Sequence, residues 1–151
     1  MRSPSSSDPE RQGEVAVLNK IEIKTEQAPA VPRMISQGLR IGPYVQASHG
    51  PADPATGEFV SLGDVRAQTV RTLLNLEAIL EAGGATFRDV VMVRAYLTDR
   101  DHYGPMNEAY QEFFAARLGD EPFPARTCVF PHGLPSPDML VELDMLAVVD
   151  D

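Results

Sequence analysis

The sequence predicts an α+β domain in which two helices return to one face of a mixed sheet of about six strands. Three observations predict it. Two stretches carry apolar residues at helical spacing, from Val65 to Gly83 and from about Pro105 to Gly119, and each is stopped by glycine. Between them, Val90-Val91-Met92-Val93-Arg94-Ala95-Tyr96-Leu97 is apolar on both faces, as a central strand is. The remaining short segments alternate apolar with polar residues and are separated by Pro and Gly turns.

Taken in order, residues 1–14 are polar and proline-bearing and read as a disordered leader, with residues 15–151 as one domain. Val15 to Ile23 alternates and predicts an edge strand. Prolines forbid a helix through Thr25-Glu26-Gln27-Ala28-Pro29-Ala30-Val31-Pro32. Gly38 to Ile41 and Tyr44 to Ser48 read as two strands turned by Gly42-Pro43. Residues 53–58 are turn chemistry. Asp64 is suited to cap the first helix, whose Val70, Leu73, Leu76 and Leu80 fall on one side. The second helix opens near Pro105 and turns Met106, Tyr110, Phe113 and Phe114 inward.

Two last strands follow, Pro124-Ala125-Arg126-Thr127-Cys128-Val129 and Leu140-Val141-Glu142-Leu143-Asp144. The run between them, residues 131–138, is rich in turn formers, and the simplest folding is a hairpin with a long loop. Centred near Leu134, that hairpin sets Arg126 opposite Glu142, about 5 Å apart at Cβ. Period two puts Arg126 with Cys128, and Glu142 with Asp144, on common faces. A cation and a carboxylate converging on one patch make the candidate site. Read from the residues alone, the same pair also suits a structural ion pair at a sheet edge. With both helices on one sheet face, the other is bare and predicts an oligomer.

Whole-chain numbers bound the reading. At 151 residues the chain is one domain that buries roughly two thirds of its unfolded surface. A net charge of −9 opposes a nucleic-acid partner, since phosphate binding needs a basic surface. No apolar run approaches the ~20 residues of a membrane helix. The single cysteine, Cys128, excludes an internal disulfide and suggests a reducing, cytoplasmic setting. His49, His102 and His132 lack ligand-like spacing, which argues against a metal site.

At the level of motifs the chain resembles the RidA/YjgF reactive intermediate deaminase family, once described as ribonucleases. The resemblance runs from about Ile21 to Val149. It is carried by Thr25-Glu26-Gln27-Ala28-Pro29-Ala30, Ser36-Gln37, residues 53–58, Ala67-Gln68-Thr69, Asn75-Leu76, Leu80-Glu81-Ala82-Gly83-Gly84, Asp89-Val90-Val91, Tyr96-Leu97-Thr98-Asp99, Met106-Asn107-Glu108-Ala109-Tyr110 and Pro124-Ala125-Arg126-Thr127-Cys128-Val129 with Val141-Glu142-Leu143. It implies a chorismate-mutase-like fold and a homotrimer with a central barrel, its sites lying in clefts between subunits. It also implies hydrolysis of 2-imino or enamino acids to 2-oxo acids and ammonia without metal or cofactor. In that reading Arg126 holds the substrate carboxylate, Glu142 orients the water, and Cys128 offers backbone contacts.

Two departures bear on specificity. Where many members carry a tyrosine before Ser-Gln, this chain has Ile35. The loop that usually reads Ser-Gly-Gln is Ser48-His49-Gly50, so Ser48 and His49 are expected to reshape the wall, with His49 as an exposed loop residue by default. Asn107 is expected as an interface or capping group at the margin of the site. A non-catalytic trimer that binds small carboxylates is the alternative to the deaminase. A ribonuclease is disfavoured by the charge.

Overall fold

The structure is a computed structural model that describes residues 18–150. Its elements are β1 (Lys20–Ile23), β2 (Gly38–Ile41), β3 (Tyr44–His49), α1 (Val65–Ala82), β4 (Val90–Leu97), α2 (Tyr103–Leu118), β5 (Ala125–Val129) and β6 (Val141–Val148). The expected α+β architecture is present: a mixed sheet in the order β1-β2-β3-β6-β4-β5, with α1 and α2 packed together over one face. The leader expected over residues 1–14, and the first residues of the expected opening strand, lie outside the described residues. No described helix is long and apolar enough to cross a membrane.

Local chemistry accounts for the boundaries. The Asp64 side chain accepts a hydrogen bond from Ala67 N–H at 3.0 Å, capping α1 as expected. At the other end Ala85 N–H reaches Leu80 C=O and Gly84 N–H reaches Glu81 C=O, the paired bonds of a Schellman motif. Gly84 stands at φ +86, where a side chain would be strained. Helix α2 begins at Tyr103, one turn of 3-10 helix having prepared it, so Pro105 lies inside the first turn rather than at its start.

The core lies between the helices and the sheet. Leu73, Leu76, Ile79 and Leu80 of α1 meet Val93, Ala95 and Leu97 of β4 and Val141, Leu143 and Met145 of β6. Phe87 stands edge-on to Phe113 and Phe114 of α2, with centroids 5.4 and 4.8 Å away. Val70 is the exception among the expected inward residues. It is exposed because the buried stripe of α1 runs through Thr69, Thr72, Leu73 and Leu76, one step around the helix from it.

The largest correction concerns the last two strands. β5 and β6 are not a hairpin. β5 pairs in parallel with β4, with Arg126 opposite Val93, and β6 pairs antiparallel with the other edge of β4. Helix α2 supplies the crossover that a parallel β4–β5 pair requires, and that leaves only the far edge of β4 for β6. The turn-rich segment after β5 therefore passes the end of β4 instead of closing a tight loop.

Alternation along β4 and β6 then sorts their two faces. Val93, Ala95 and Leu97 are buried under the helices, while Arg94 and Tyr96 look the other way. The second face, with Tyr44, Gln46 and Ser48 of β3 beside Glu142 and Asp144 of β6, is covered by no helix among the described residues. A bulge between Val90 and Met92 shifts the β4 register and leaves Val91 exposed.

Candidate functional site

Arg126 sits on β5, the edge strand, and alternation turns it with Cys128 toward the helices. Cys128 packs against the core and burial pushes its thiol up, which makes it a packing residue. The Arg126 guanidinium lies flat against α2. It is 4.7 Å from the centroid of the Tyr110 ring and 5.7 Å from that of Tyr103. Its Nη1 donates to the Met106 sulfur at 3.8 Å, and its Nη2 donates to the Tyr103 hydroxyl at 3.4 Å. A thioether is a weak acceptor and the second bond is long, so neither satisfies the fork. No carboxylate pairs with Arg126 among the described residues.

Close by, the buried Tyr110 hydroxyl and Asn107 Oδ1 have no hydrogen-bond partner among the described residues, and the same holds for His102 Nδ1. Burial pushes Tyr110 up to about 12, so its phenol stays protonated. Asn107 thus sits on α2 one turn from the residues against Arg126, half-buried rather than capping the helix.

Glu142 is elsewhere. It pairs with Tyr96, which pairs in turn with Val129, so three residues and two strand spacings separate it from Arg126. That places the two Cα atoms roughly 14 Å apart. Their side chains also point to opposite faces of the sheet, since Arg126 shares the face of buried Val93 and Glu142 that of Tyr96. The expected opposition of Arg126 and Glu142 across neighbouring strands is therefore overturned, because β4 lies between them.

On its own face Glu142 lines a recess of about 350 Å³ with Ser48, Tyr96, Asp144 and the Pro131, Gly133 and Leu134 of the β5–β6 connection. Burial and then the neighbouring Asp144 raise the Glu142 carboxyl above its ordinary 4.5. Asp144 is itself held by Arg94, with Nε 2.8 Å from Oδ1. Ser48 lies directly across from Asp144 and joins this group.

The remaining expected site residues divide. His49 is not an exposed loop residue: it ends β3 and is largely enclosed. Its Nδ1 accepts from Gly50 N–H at 2.9 Å, which leaves Nε2 to donate to Pro29 C=O at 3.1 Å. Burial lowers its pKa, and both nitrogens are engaged by backbone, so it is a fastening rather than a ligand-binding group. Ile35 is 52% exposed and lines a wider recess of about 980 Å³ with Arg33, Gln37 and residues of the β1–β2 segment. No group of three His, Cys, Asp or Glu side chains suited to hold a metal ion occurs among the described residues.

Two features escaped sequence reasoning. Tyr103 stands one helical step before the inward pair Met106 and Tyr110, and extending that stripe by three residues would have found it. Gln68 is fully buried, with Nε2 donating to Val60 and Asp138 C=O and Oε1 accepting from Leu140 N–H. Nothing in a lone glutamine on a helix signals such a role.

Similarity to known proteins fits this geometry. The profile of the family described as Endoribonuclease L-PSP matches residues 25–149. A RutC family protein of Pyrococcus abyssi is 41% identical over 86% of this chain and 98% of its own length. The 2-iminobutanoate/2-iminopropanoate deaminase of Salmonella typhimurium is 36% identical over 83% of this chain and 95% of its own. Among solved structures, Escherichia coli TdcF with bound serine superposes with a TM-score of 0.79 at 30% identity, covering 86% of this chain and 99% of that one. By sequence profile, relatives and fold together, the chain belongs to the Endoribonuclease L-PSP family, that of the RidA/YjgF proteins.

Proposed function

We propose that the protein hydrolyses small 2-imino or enamino acids to 2-oxo acids and ammonia. The observation that carries this reading is Arg126, a guanidinium fork backed by aromatic rings with no carboxylate of the described residues on it. Such a fork matches a substrate carboxylate bidentately and fixes the adjacent C=N carbon in place. Water adds its oxygen to that carbon and a carboxylate takes one of its protons; this proton and then the hydroxyl proton pass to the nitrogen, and ammonia leaves as the C–N bond breaks and the C=O bond forms. Glu142 suits the proton transfer because its raised pKa makes it a stronger base than an ordinary carboxylate. Names among the relatives, and a bound serine in a structural neighbour, support a small carboxylate as ligand.

One chain holds these two groups on opposite sheet faces, so the site is assembled between copies. The Arg126 edge of one subunit meets the bare face, with Glu142, of the next, in the homotrimer that the family resemblance implies. The test is to generate 2-iminopropanoate with a serine dehydratase and follow its loss by semicarbazide trapping. Acceleration over buffer that disappears in Arg126→Ala supports the reading. No acceleration, or full activity in that variant, refutes it.

A second reading, a carboxylate-binding protein without turnover, is favoured by Ile35, whose exposed aliphatic side chain offers no phenol to the substrate. It predicts calorimetric binding of a 2-oxo acid with no change in imine lifetime.

A further inference from the structure

Beyond its fork, Arg126 adjoins a strip of exposed aromatic surface. Tyr103, the first residue of α2, is 43% exposed, and Phe130, just past β5, is 38% exposed. Their rings meet edge to face with centroids 6.2 Å apart. Arg126 stands over Tyr103 on one side, and Arg100 stacks 5.8 Å from the Phe130 centroid on the other. Alternation explains the alignment, because residues 126, 128 and 130 turn to the same side of the edge strand. Stacking of each ring between a neighbouring ring and a guanidinium fixes its orientation. Yet each residue keeps more than a third of its surface exposed, next to a fork that no described carboxylate fills.

We propose that Tyr103 and Phe130 form the side-chain subsite of the Arg126 anchor, so that the protein prefers 2-imino acids with a branched or aromatic apolar side chain over the alanine-derived one. The inference rests on the reading of Arg126 as carboxylate anchor. With the acid group on Nη1 and Nη2, the Tyr103 hydroxyl, 3.4 Å from Nη2, is placed to donate its proton to the same carboxylate. The substrate side chain then lies along the ring pair and removes apolar area of both from water. A closed pocket discriminates one methylene by about tenfold or more; a shelf open on one side gives less, about fivefold for leucine-derived over alanine-derived imine.

An amino-acid oxidase with catalase generates the imines of alanine, leucine and phenylalanine in place, and kcat/KM is measured for each. Calorimetry with pyruvate and 4-methyl-2-oxopentanoate reports binding independently of turnover. The expected result is a preference of about fivefold for the longer chain in both measurements. Phe130→Ala and Tyr103→Ala are expected to erase it, while Tyr103→Phe keeps the preference and weakens both ligands alike. Turnover without any chain-length preference overturns the subsite and leaves the deaminase reading standing. Binding with a shelf-dependent preference but no turnover sustains the subsite and removes the deaminase. Binding of neither 2-oxo acid refutes both.

Discussion

Gln68→Met removes the polar end of a fully buried side chain while nearly conserving its volume. The wild-type amide donates to Val60 C=O at 3.1 Å and to Asp138 C=O at 2.9 Å, and accepts from Leu140 N–H at 2.9 Å. All three are part-buried backbone groups that the thioether cannot serve. Each hydrogen bond lost at such a position costs about 1 kcal/mol, giving a total of about 3 kcal/mol. Against a domain stability of about 5–15 kcal/mol that is a large fraction. Equilibrium urea denaturation at fixed protein concentration measures it, so that any self-association contributes equally to both proteins. A loss below about 1 kcal/mol would show that the three groups find other partners and would refute the accounting. A functional consequence follows from the same contacts. Leu140 is two residues before Glu142, so a slackened start of β6 should lower kcat while leaving KM unchanged.

Other expectations can be checked separately. Arg126→Lys keeps the charge but loses the planar fork, and should raise the Kd for a 2-oxo acid about tenfold by calorimetry. If Glu142 is the base, activity should fall as pH drops through its raised pKa, above the ordinary 4.5, and Glu142→Gln should remove that acid limb with ~100-fold of the rate. In stability the sign reverses. A carboxyl raised in the folded state favours folding at low pH, and this contribution is lost as pH rises from 4.5 through the raised value. Glu142→Gln should therefore stabilise at pH 7 and gain nothing in acid, as denaturation at the two pH values will show. His49 is lowered by burial, so stability should decline as pH falls below 6.5 towards the lowered value. His49→Gln should flatten that decline; an unchanged slope would contradict the neutral, doubly bonded imidazole.

Much of the fold was readable because local signals and tertiary packing agree. Asp64, the Gly83-Gly84 pair and the alternation of β4 each specify their structure through short-range chemistry. Pairing of β5 and β6 was different. Two strands joined by a turn-rich segment look like a hairpin locally, and only the demand of α2 for a parallel crossover places β4 between them. The error carried into the site, since it was the presumed pairing that brought Arg126 and Glu142 together. Arg126 itself was legible as a cation on an alternating strand. Its aromatic bed was not, because Tyr103 and Tyr110 reach it from α2, an element apart from its own strand.

The segment between β1 and β2 has no regular secondary structure over most of its length, yet two side chains anchor it. Gln37 Nε2 donates to Thr25, Ala28 and Pro29 carbonyls, its Oε1 accepts from Thr25 N–H, and His49 reaches Pro29 from the far side. One clasp is an amide, indifferent to acidity; the other is an imidazole, which a proton converts from a satisfied donor–acceptor into a confined cation. A proton taken up at Nδ1 costs the imidazole its bond from Gly50 N–H, while Nε2–H still donates to Pro29 C=O. Pro29 is thus gripped from both sides, and the amide that holds Thr25, Ala28 and Pro29 keeps the segment leading to Ile35 in place whatever the charge on the ring.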